Sequence, residues 1–471
     1  MTDTFVPRSR RAVLKGFATV VGSAILAACG DTSLPPATTS MAPTQNAASA
    51  MSVATTGATT AMSTAVPSQS GVRKQGAIEY WHTNTDVLGG GAVQNIIQRF
   101  NDANPSIVLT GKPYPGYPEL LQALQAAQAA RIPPAVAQVG YGYLRYTVTN
   151  LPHTPVEDVI KRDPSSSDFL AKNYAPNVLE LGRIDGVQHG TPLGFSVPVL
   201  FSNLDLLKQA GIESQPRTWD EVRDVSRAIK AKTGKFGVYL TESTDFFTQQ
   251  AFIEGNGARV LIGSGNDVSC GVDSPEAVAA MQLAADLILK DGTAAHLPQA
   301  QGTQSFNSGQ IAMYAASIAT LNAIQKASTF QLGTTAFPMF GAKPRRIPVG
   351  GNDLFIFATD PAQQMAAWEW IKFIESPESL TTWVKGTGYL SPRLGVAEDP
   401  RFLKPYFDDN RLVKPATDEL PEIVQWASWP GKNGLQANQE LLDAREKILG
   451  GGDVASSLRD AAARVNQLIK Q

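Results

Sequence analysis

Three apolar runs early in the chain each end in rings. Trp81 and His82 close the first, Tyr114 and Tyr117 follow the second, and Tyr141 and Tyr143 follow the third. Aromatic faces of this kind stack on the apolar face of a sugar or another small molecule, with the phenol and indole edges left to hydrogen-bond its polar groups. In open α/β sheets ligands sit beyond the carboxyl ends of the strands, which is where these rings fall. Other chemistry finds less support. The histidines His82, His153, His189 and His296 are scattered without a metal-ligand spacing, and Cys29 and Cys270 are too few for a thiolate zinc site or a disulfide framework. Gly89-Gly90-Gly91 lacks the lysine and hydroxyl of a phosphate-binding loop, and Gly263-Ser264-Gly265 sits in a polar loop rather than on a strand-to-helix elbow. No cofactor and no metal is expected, and the chain is read as a binder rather than an enzyme.

The elements that position the rings follow from periodicity. Ala77 to Trp81 reads as a strand, and Val93, Ile96, Ile97 and Phe100 mark one face of a helix ending before Asn104-Pro105. Ser106 to Thr110 is a second strand, Leu120, Leu121 and Leu124 lie on a second helix stopped by Pro133-Pro134, and Ala135 to Val139 is a third strand. Strands alternating with helices argue βαβ units and a mainly parallel sheet covered on both faces. Helix starts are written plainly: a capping box at Thr218-Trp219-Asp220-Glu221, and Ser274-Pro275, Asp360-Pro361 and Ser376-Pro377, each a good cap before a first-turn proline. From about Gln439 to Ile469 two helices are expected, broken at Gly450-Gly451-Gly452.

With 471 residues the chain exceeds one ordinary domain, and 43% hydrophobic with 17% charged residues is a globular composition. Forty basic against 42 acidic residues give a formal net charge of -2, which offers nothing to a polyanion, so nucleic acid is excluded as a partner. The N-terminus reads as an address. Arg8, Arg10 and Arg11 precede a short apolar stretch from Gly16 to Ala28, and Ser9-Arg10-Arg11-Ala12-Val13-Leu14-Lys15 resembles a twin-arginine export signal. Leu26-Ala27-Ala28-Cys29 resembles the bacterial lipoprotein box, which implies a signal peptide over 1–28 and a lipidated Cys29. Residues 29–75, rich in Ala, Thr and Ser, are then expected to form a flexible tether. A coil of this length reaches about 35–40 Å. Cys270 is expected to be an unpaired structural thiol.

Longer motifs resemble the extracellular solute-binding proteins of bacterial ABC importers, carbohydrate type, and within them the branch that binds sn-glycerol-3-phosphate. They are Tyr80-Trp81-His82, Gln98-Arg99-Phe100-Asn101 with Asn104-Pro105, Thr191-Pro192 leading into Ser196-Val197-Pro198-Val199-Leu200 and Asn203, Phe306-Asn307-Ser308-Gly309 with Ala312-Met313, Gly350-Gly351, and Thr387-Gly388-Tyr389-Leu390. The resemblance implies an α/β fold, a two-lobed periplasmic-binding-protein clamshell. Each lobe is a mixed, mainly parallel sheet flanked by helices, and the chain crosses the hinge three times. Lobe 1 is expected over 76–195 and 348–405, and lobe 2 over 196–347 and 406–471. Family pocket positions fall on Tyr117, Ser196, Ser317, Gly351 and Tyr389; Trp219 matches an aromatic near the pocket, and Phe246 stands where the family has tryptophan. Trp81, Trp426, Asn352 and Asp353 complete the candidate set, the last two as partners for hydroxyls.

Two departures bear on the ligand. Tyr141 replaces a pocket glutamate of the glycerol-3-phosphate binders, and Leu435-Gln436-Ala437-Asn438 offers no cation where those proteins hold phosphate with arginine. A dianionic phosphate without that contact loses one of the stronger charge-assisted interactions. The expected protein is an extracytoplasmic, lipid-anchored, monomeric solute-binding lipoprotein that delivers a sugar, oligosaccharide or glycerophosphodiester-like solute to the transmembrane subunits of an ABC permease. Capture of sn-glycerol-3-phosphate, a secreted carbohydrate-active enzyme and a sensor lipoprotein are the alternatives.

Overall fold

The computed structural model describes residues 76–241, 243, 245–264 and 267–471. The chain divides into Met1–Gln69 and Ser70–Gln471. The export signal, Cys29 and the tether up to residue 75 lie outside the described residues.

Order begins with β1 (Gly76–His82), followed by α1 (Gly90–Ala103), β2 (Ile107–Pro113), α2 (Tyr117–Ala130), β3 (Val136–Gly140) and α3 (Leu144–Asn150). Helix α1 buries Val93, Ile96, Ile97 and Phe100, the stripe expected from their spacing. Next come β4 (Thr191–Ser196) and β5 (Pro198–Asn203), joined by Val197 alone, then α4 (Trp219–Thr233), β6 (Phe236–Leu240), α5 (Phe247–Gly255) and α6 (Pro275–Ala285). The chain continues through β7 (Ile311–Ser317), β8 (Leu332–Ala336) and β9 (Gly350–Ile356), and then α7 (Pro361–Ile374), α8 (Pro377–Thr387), α9 (Gly434–Leu449) and α10 (Val454–Leu468). The capping chemistry is as the sequence spells it. Thr218 and Glu221 form both bonds of a capping box, and Ser274, Asp360 and Ser376 accept from first-turn amides behind their prolines. Gly388 closes α8 in the left-handed region, and α9 and α10 flank the triple glycine.

Two principal sheets form, ordered β2-β1-β3-β9-β4 and β8-β5-β7-β6. They are the sheets of two lobes. Their orientation is mixed, with a smaller parallel share than the sequence suggests. In lobe 1, β1 runs parallel to β2 and β3, but β9 is antiparallel to both β3 and β4. In lobe 2 only the β7–β6 pair is parallel. The cause is chain routing, because a strand that re-enters a lobe from its neighbour enters from the hinge side and runs against those built by local βαβ units. One passage is Ser196-Val197-Pro198; another is Pro348-Val349-Gly350, where Ile347–Pro348 pairs with Ile423–Val424.

One face of the lobe 1 sheet packs Ile78, Tyr80 and Leu109 on Phe100, Trp370 and Trp383. The opposite face shares a continuous core with lobe 2 through Tyr141, Tyr143, Phe195, Phe247 and Trp426. Strand alternation sends Tyr80 to the first face and Trp81 to the second.

Candidate functional site

Tyr117, the first residue of α2, holds the centre of a polar cluster in lobe 1. Asn352 Nδ2 donates to the Tyr117 hydroxyl at 3.0 Å, and that hydroxyl lies 3.4 Å from the hydroxyl of Tyr389. Three segments far apart in sequence thus meet: the start of α2, the third residue of strand β9 and the loop after α8. Asn352 is buried and its Oδ1 has no hydrogen-bond partner among the described residues, an acceptor left for a ligand or water to satisfy. Tyr389 is steered by its stack on Trp383, with ring centroids 5.1 Å apart. Behind the cluster the end of β1 is locked. Gln138 Oε1 accepts from the Thr83 amide and hydroxyl, while its Nε2 donates to Tyr80 and Asn84. Burial pushes His82 down to about 4, so its ring is neutral and its Nδ1 accepts from the Asn84 amide.

Lobe 2 meets this cluster along a ring seam. Tyr117 and Tyr143 lie 6.4 Å apart, Tyr143 and Trp426 6.4 Å, and Trp426 and Phe247 4.8 Å. Gly142 leaves the space for Trp426, since a β-carbon there would fall 2.8 Å from the indole. The segment carrying Trp426 is tied to both lobes. Gln250 of α5 accepts from the Ala427 amide and donates to the Gln425 carbonyl, and on the other side the Arg145 amide donates to Ser428 and Asn150 to the Gly431 carbonyl. Burial pushes the phenols of Tyr117, Tyr143 and Tyr389 up, and the negative charge of Asp245, in the loop before Phe247, adds to that push.

The expected site residues divide. Tyr117, Asn352 and Tyr389 come together, Trp426 reaches them through the ring of Tyr143, and Phe246 is buried one residue before α5. Ser196 is buried against Gly350 at the first passage between lobes, and Ser317 ends β7, where its hydroxyl accepts from the Ala319 amide. The others are placed for different work. Trp219 is sealed in the lobe 2 core, its ring 4.6 Å from Phe252 and 5.3 Å from Phe337, because it occupies the first helical position behind its capping box. Trp81 turns away from the cluster; its Nε1 donates to Glu79 and Lys112 Nζ sits 4.6 Å over its ring. Gly351 answers a backbone need. Its φ is +110° and a β-carbon would fall 1.9 Å from the Gly194 carbonyl oxygen, beside the register shift between β9 and β4.

Tyr141 and Asp353 lie together, fully buried inside lobe 1. Consecutive strand residues face opposite ways, so Asn352 reaches Tyr117 while Asp353 points to Gly182. Burial pushes the Asp353 carboxyl up to about 7, and the same burial with the Asp353 charge pushes Tyr141 well up. Glu375, buried nearby under hydrogen bonds from Tyr174 and Thr191, is pushed up to about 8. Cys270 is a buried free thiol, pushed up to about 12 by burial, as a structural cysteine should be. Sequence reasoning passes over Asp245 and Phe247; their one local signal is adjacency to Phe246. Among the described residues no cluster of three or more metal-ligating side chains occurs, and no helix is long and apolar enough to cross a membrane.

Two lobes joined by short passages, with an aromatic and hydroxyl-bearing seam between them, define a solute-binding protein of the clamshell type. Residues 95–454 match the family described as bacterial extracellular solute-binding protein, and the chain belongs to that family. It is an extracytoplasmic solute-binding protein of the kind that serves ABC importers. Among curated relatives, the sn-glycerol-3-phosphate-binding periplasmic protein UgpB of Agrobacterium fabrum is 26% identical over 410 residues, covering 80% of this chain and 92% of that one. The Brucella abortus protein of the same name is 26% identical over 419 residues, covering 84% and 93%. Among solved structures, UgpB from Mycobacterium tuberculosis in complex with glycerophosphocholine superposes with a TM-score of 0.73 at 21% identity, covering 84% of this chain and 98% of that one. The GacH receptor of Streptomyces glaucescens, solved unliganded and with acarbose, gives 0.72 at 19%, covering 84% and 98%. These likenesses show the shared fold.

Proposed function

We propose that the protein captures a sugar, oligosaccharide or glycerophosphodiester-type solute between its lobes at the seam of Tyr117, Asn352, Tyr389 and Trp426, and delivers it unchanged to an ABC permease. The observation that carries this reading is the Asn352–Tyr117–Tyr389 cluster, where an orphaned buried acceptor and two phenols stand at one end of the ring seam that runs through Tyr143 to Trp426 and Phe247. Rings supply apolar area for stacking and the cluster supplies direction, the usual division of labour in a small-molecule site. A solute touching both lobes stabilises their closed arrangement by the contacts it makes only there. Solutes named for the similar proteins, glycerophosphocholine and acarbose, are consistent with such a seam. Glycerol-3-phosphate itself is disfavoured, because the first turn of α9 carries Leu435, Gln436, Ala437 and Asn438 and no cation.

The reading includes a monomer held at the cell envelope by acyl chains on Cys29, with lobe 1 formed by 76–195 and 348–405 and lobe 2 by the rest of the body. A panel of sugars and glycerophosphodiesters in a thermal-shift screen tests it, since a ligand that binds only the folded state raises its apparent stability. At least one member should raise the melting temperature and be recovered chemically intact. Conversion of that compound on incubation, or silence across the whole panel, would refute the reading.

A further inference from the structure

The seam contains one feature that neither the ring pattern nor the polar cluster requires. Asp245 is half-buried in the loop that leads into α5, two residues before Phe247, whose ring lies against Trp426. Its Oδ1 accepts from the Ser243 hydroxyl at 2.8 Å and from the Phe247 amide at 3.2 Å. Both bonds fall on one oxygen, which leaves Oδ2 without a hydrogen bond among the described residues. Arg445 of α9 fixes the loop from behind through its backbone: Nη1 donates to the Ser243 carbonyl at 2.9 Å and to the Asp245 carbonyl at 3.5 Å. The guanidinium is itself engaged by Glu446 at 2.8 Å, and its positive charge still acts on the Asp245 carboxyl, although no direct ion pair between the two side chains occurs among the described residues.

We propose that Asp245 is the specificity determinant of the seam: the solute end lodged beside it, where Phe247 meets Trp426, presents hydroxyl donors or a positive charge and carries no negative charge. The assignment rests on the solute-binding reading above and narrows its substrate class. A carboxylate only accepts hydrogen bonds, so it selects a hydroxyl pair or an ammonium head, and it repels a phosphate monoester placed within a few ångströms. The surrounding rings suit either group, through stacking for a sugar and through their negative faces for a quaternary or primary ammonium, which the carboxylate attracts by charge. Burial already pushes the Asp245 carboxyl up, so a donor brought by the solute relieves a carboxylate that the protein alone leaves under-solvated.

Calorimetric titration of the protein with maltose, glycerophosphocholine and glycerol-3-phosphate, repeated on Asp245→Asn and Asp245→Glu, tests the assignment. The unaltered protein should bind maltose or glycerophosphocholine in preference to glycerol-3-phosphate, and whichever binds tells recognition of hydroxyl donors from recognition of a cationic head. Asp245→Asn should weaken that binding by about tenfold, the loss of one charge-assisted hydrogen bond, and narrow the margin over glycerol-3-phosphate. Asp245→Glu should keep the order of preference, and it decides the matter if the asparagine variant fails to fold. Tightest binding of glycerol-3-phosphate by the unaltered protein, or an Asp245→Asn variant with unchanged affinities, overturns the proposal while leaving a solute binder in place. Binding of none of the three overturns it together with the reading beneath it.

Discussion

Asn352 Nδ2 donates to the Tyr117 hydroxyl at 3.0 Å across 235 positions of sequence, joining the strand that returns from lobe 2 to the helix that follows β2. The bond fixes the phenol oxygen in front of Tyr389 while Asn352 Oδ1 stays unpartnered among the described residues. Tyr117→Phe removes the only oxygen to which Nδ2 donates among the described residues. A buried donor left without its acceptor costs about 1–3 kcal/mol. Chemical denaturation should register a loss in that range, and solute affinity should fall several-fold in the same variant. An affinity drop without any loss of stability would mean that the bond is made only to solute.

Gly351 carries a different burden from its neighbour. Its left-handed backbone and its closeness to the Gly194 carbonyl leave no room for a β-carbon. Gly351→Ala should destabilise lobe 1 by at least about 2 kcal/mol, whether or not solute is present. Equilibrium unfolding of the variant with and without solute separates this backbone role from a contact role, for which only the solute-bound stability would change.

The buried acids predict a falling stability with rising pH. Glu375 is held at about 8 in the folded chain against an ordinary 4.5, and Asp353 at about 7 against 3.8. Between those limits the folded state keeps protons that the unfolded chain has released, so stability is fullest below about pH 4 for these two groups and declines toward pH 8. Glu375→Gln should flatten the upper part of that decline, read as the denaturation midpoint from pH 5 to pH 8. A midpoint that climbs over the same range in both proteins would contradict the assignment of these groups as buried and neutral.

Cys29 bears on location alone. If its thiol carries the acyl chains, Cys29→Ala should move the protein from the membrane fraction to the soluble envelope fraction with solute affinity unchanged. Retention on the membrane, followed by detergent phase partitioning, would show that another feature holds it there.

Local chemistry made the first half of lobe 1 and the helix ends legible. The apolar stripe of α1, the prolines behind Ser274, Asp360 and Ser376, and the glycine after α8 each act within a turn or two of where they are written. Pairing between distant strands leaves no such mark. Nothing near Asn352 announces that it will lie opposite Gly140, or that β9 will run against β3 and β4. The rings show the same limit. Trp81 lies on the sheet face shared with lobe 2, but only Tyr117, at the start of α2, meets the returning β9 and so joins the cluster. Trp219 and Gly351 matched functional positions of the family, and here packing and backbone conformation account for them. Asp245 carries no periodicity at all, and only the meeting of the two lobes makes its position meaningful.

The central claim is that solute is held by the tyrosine cluster and not merely near it. Isothermal titration of the solute found by screening, against the unaltered protein, Tyr389→Ala and Trp219→Ala, tests it directly. Tyr389→Ala should bind at least tenfold more weakly. Trp219→Ala should lose about 3–5 kcal/mol of folding stability yet bind within about threefold of the unaltered protein while folded. Equal affinity in Tyr389→Ala and the unaltered protein would contradict the account.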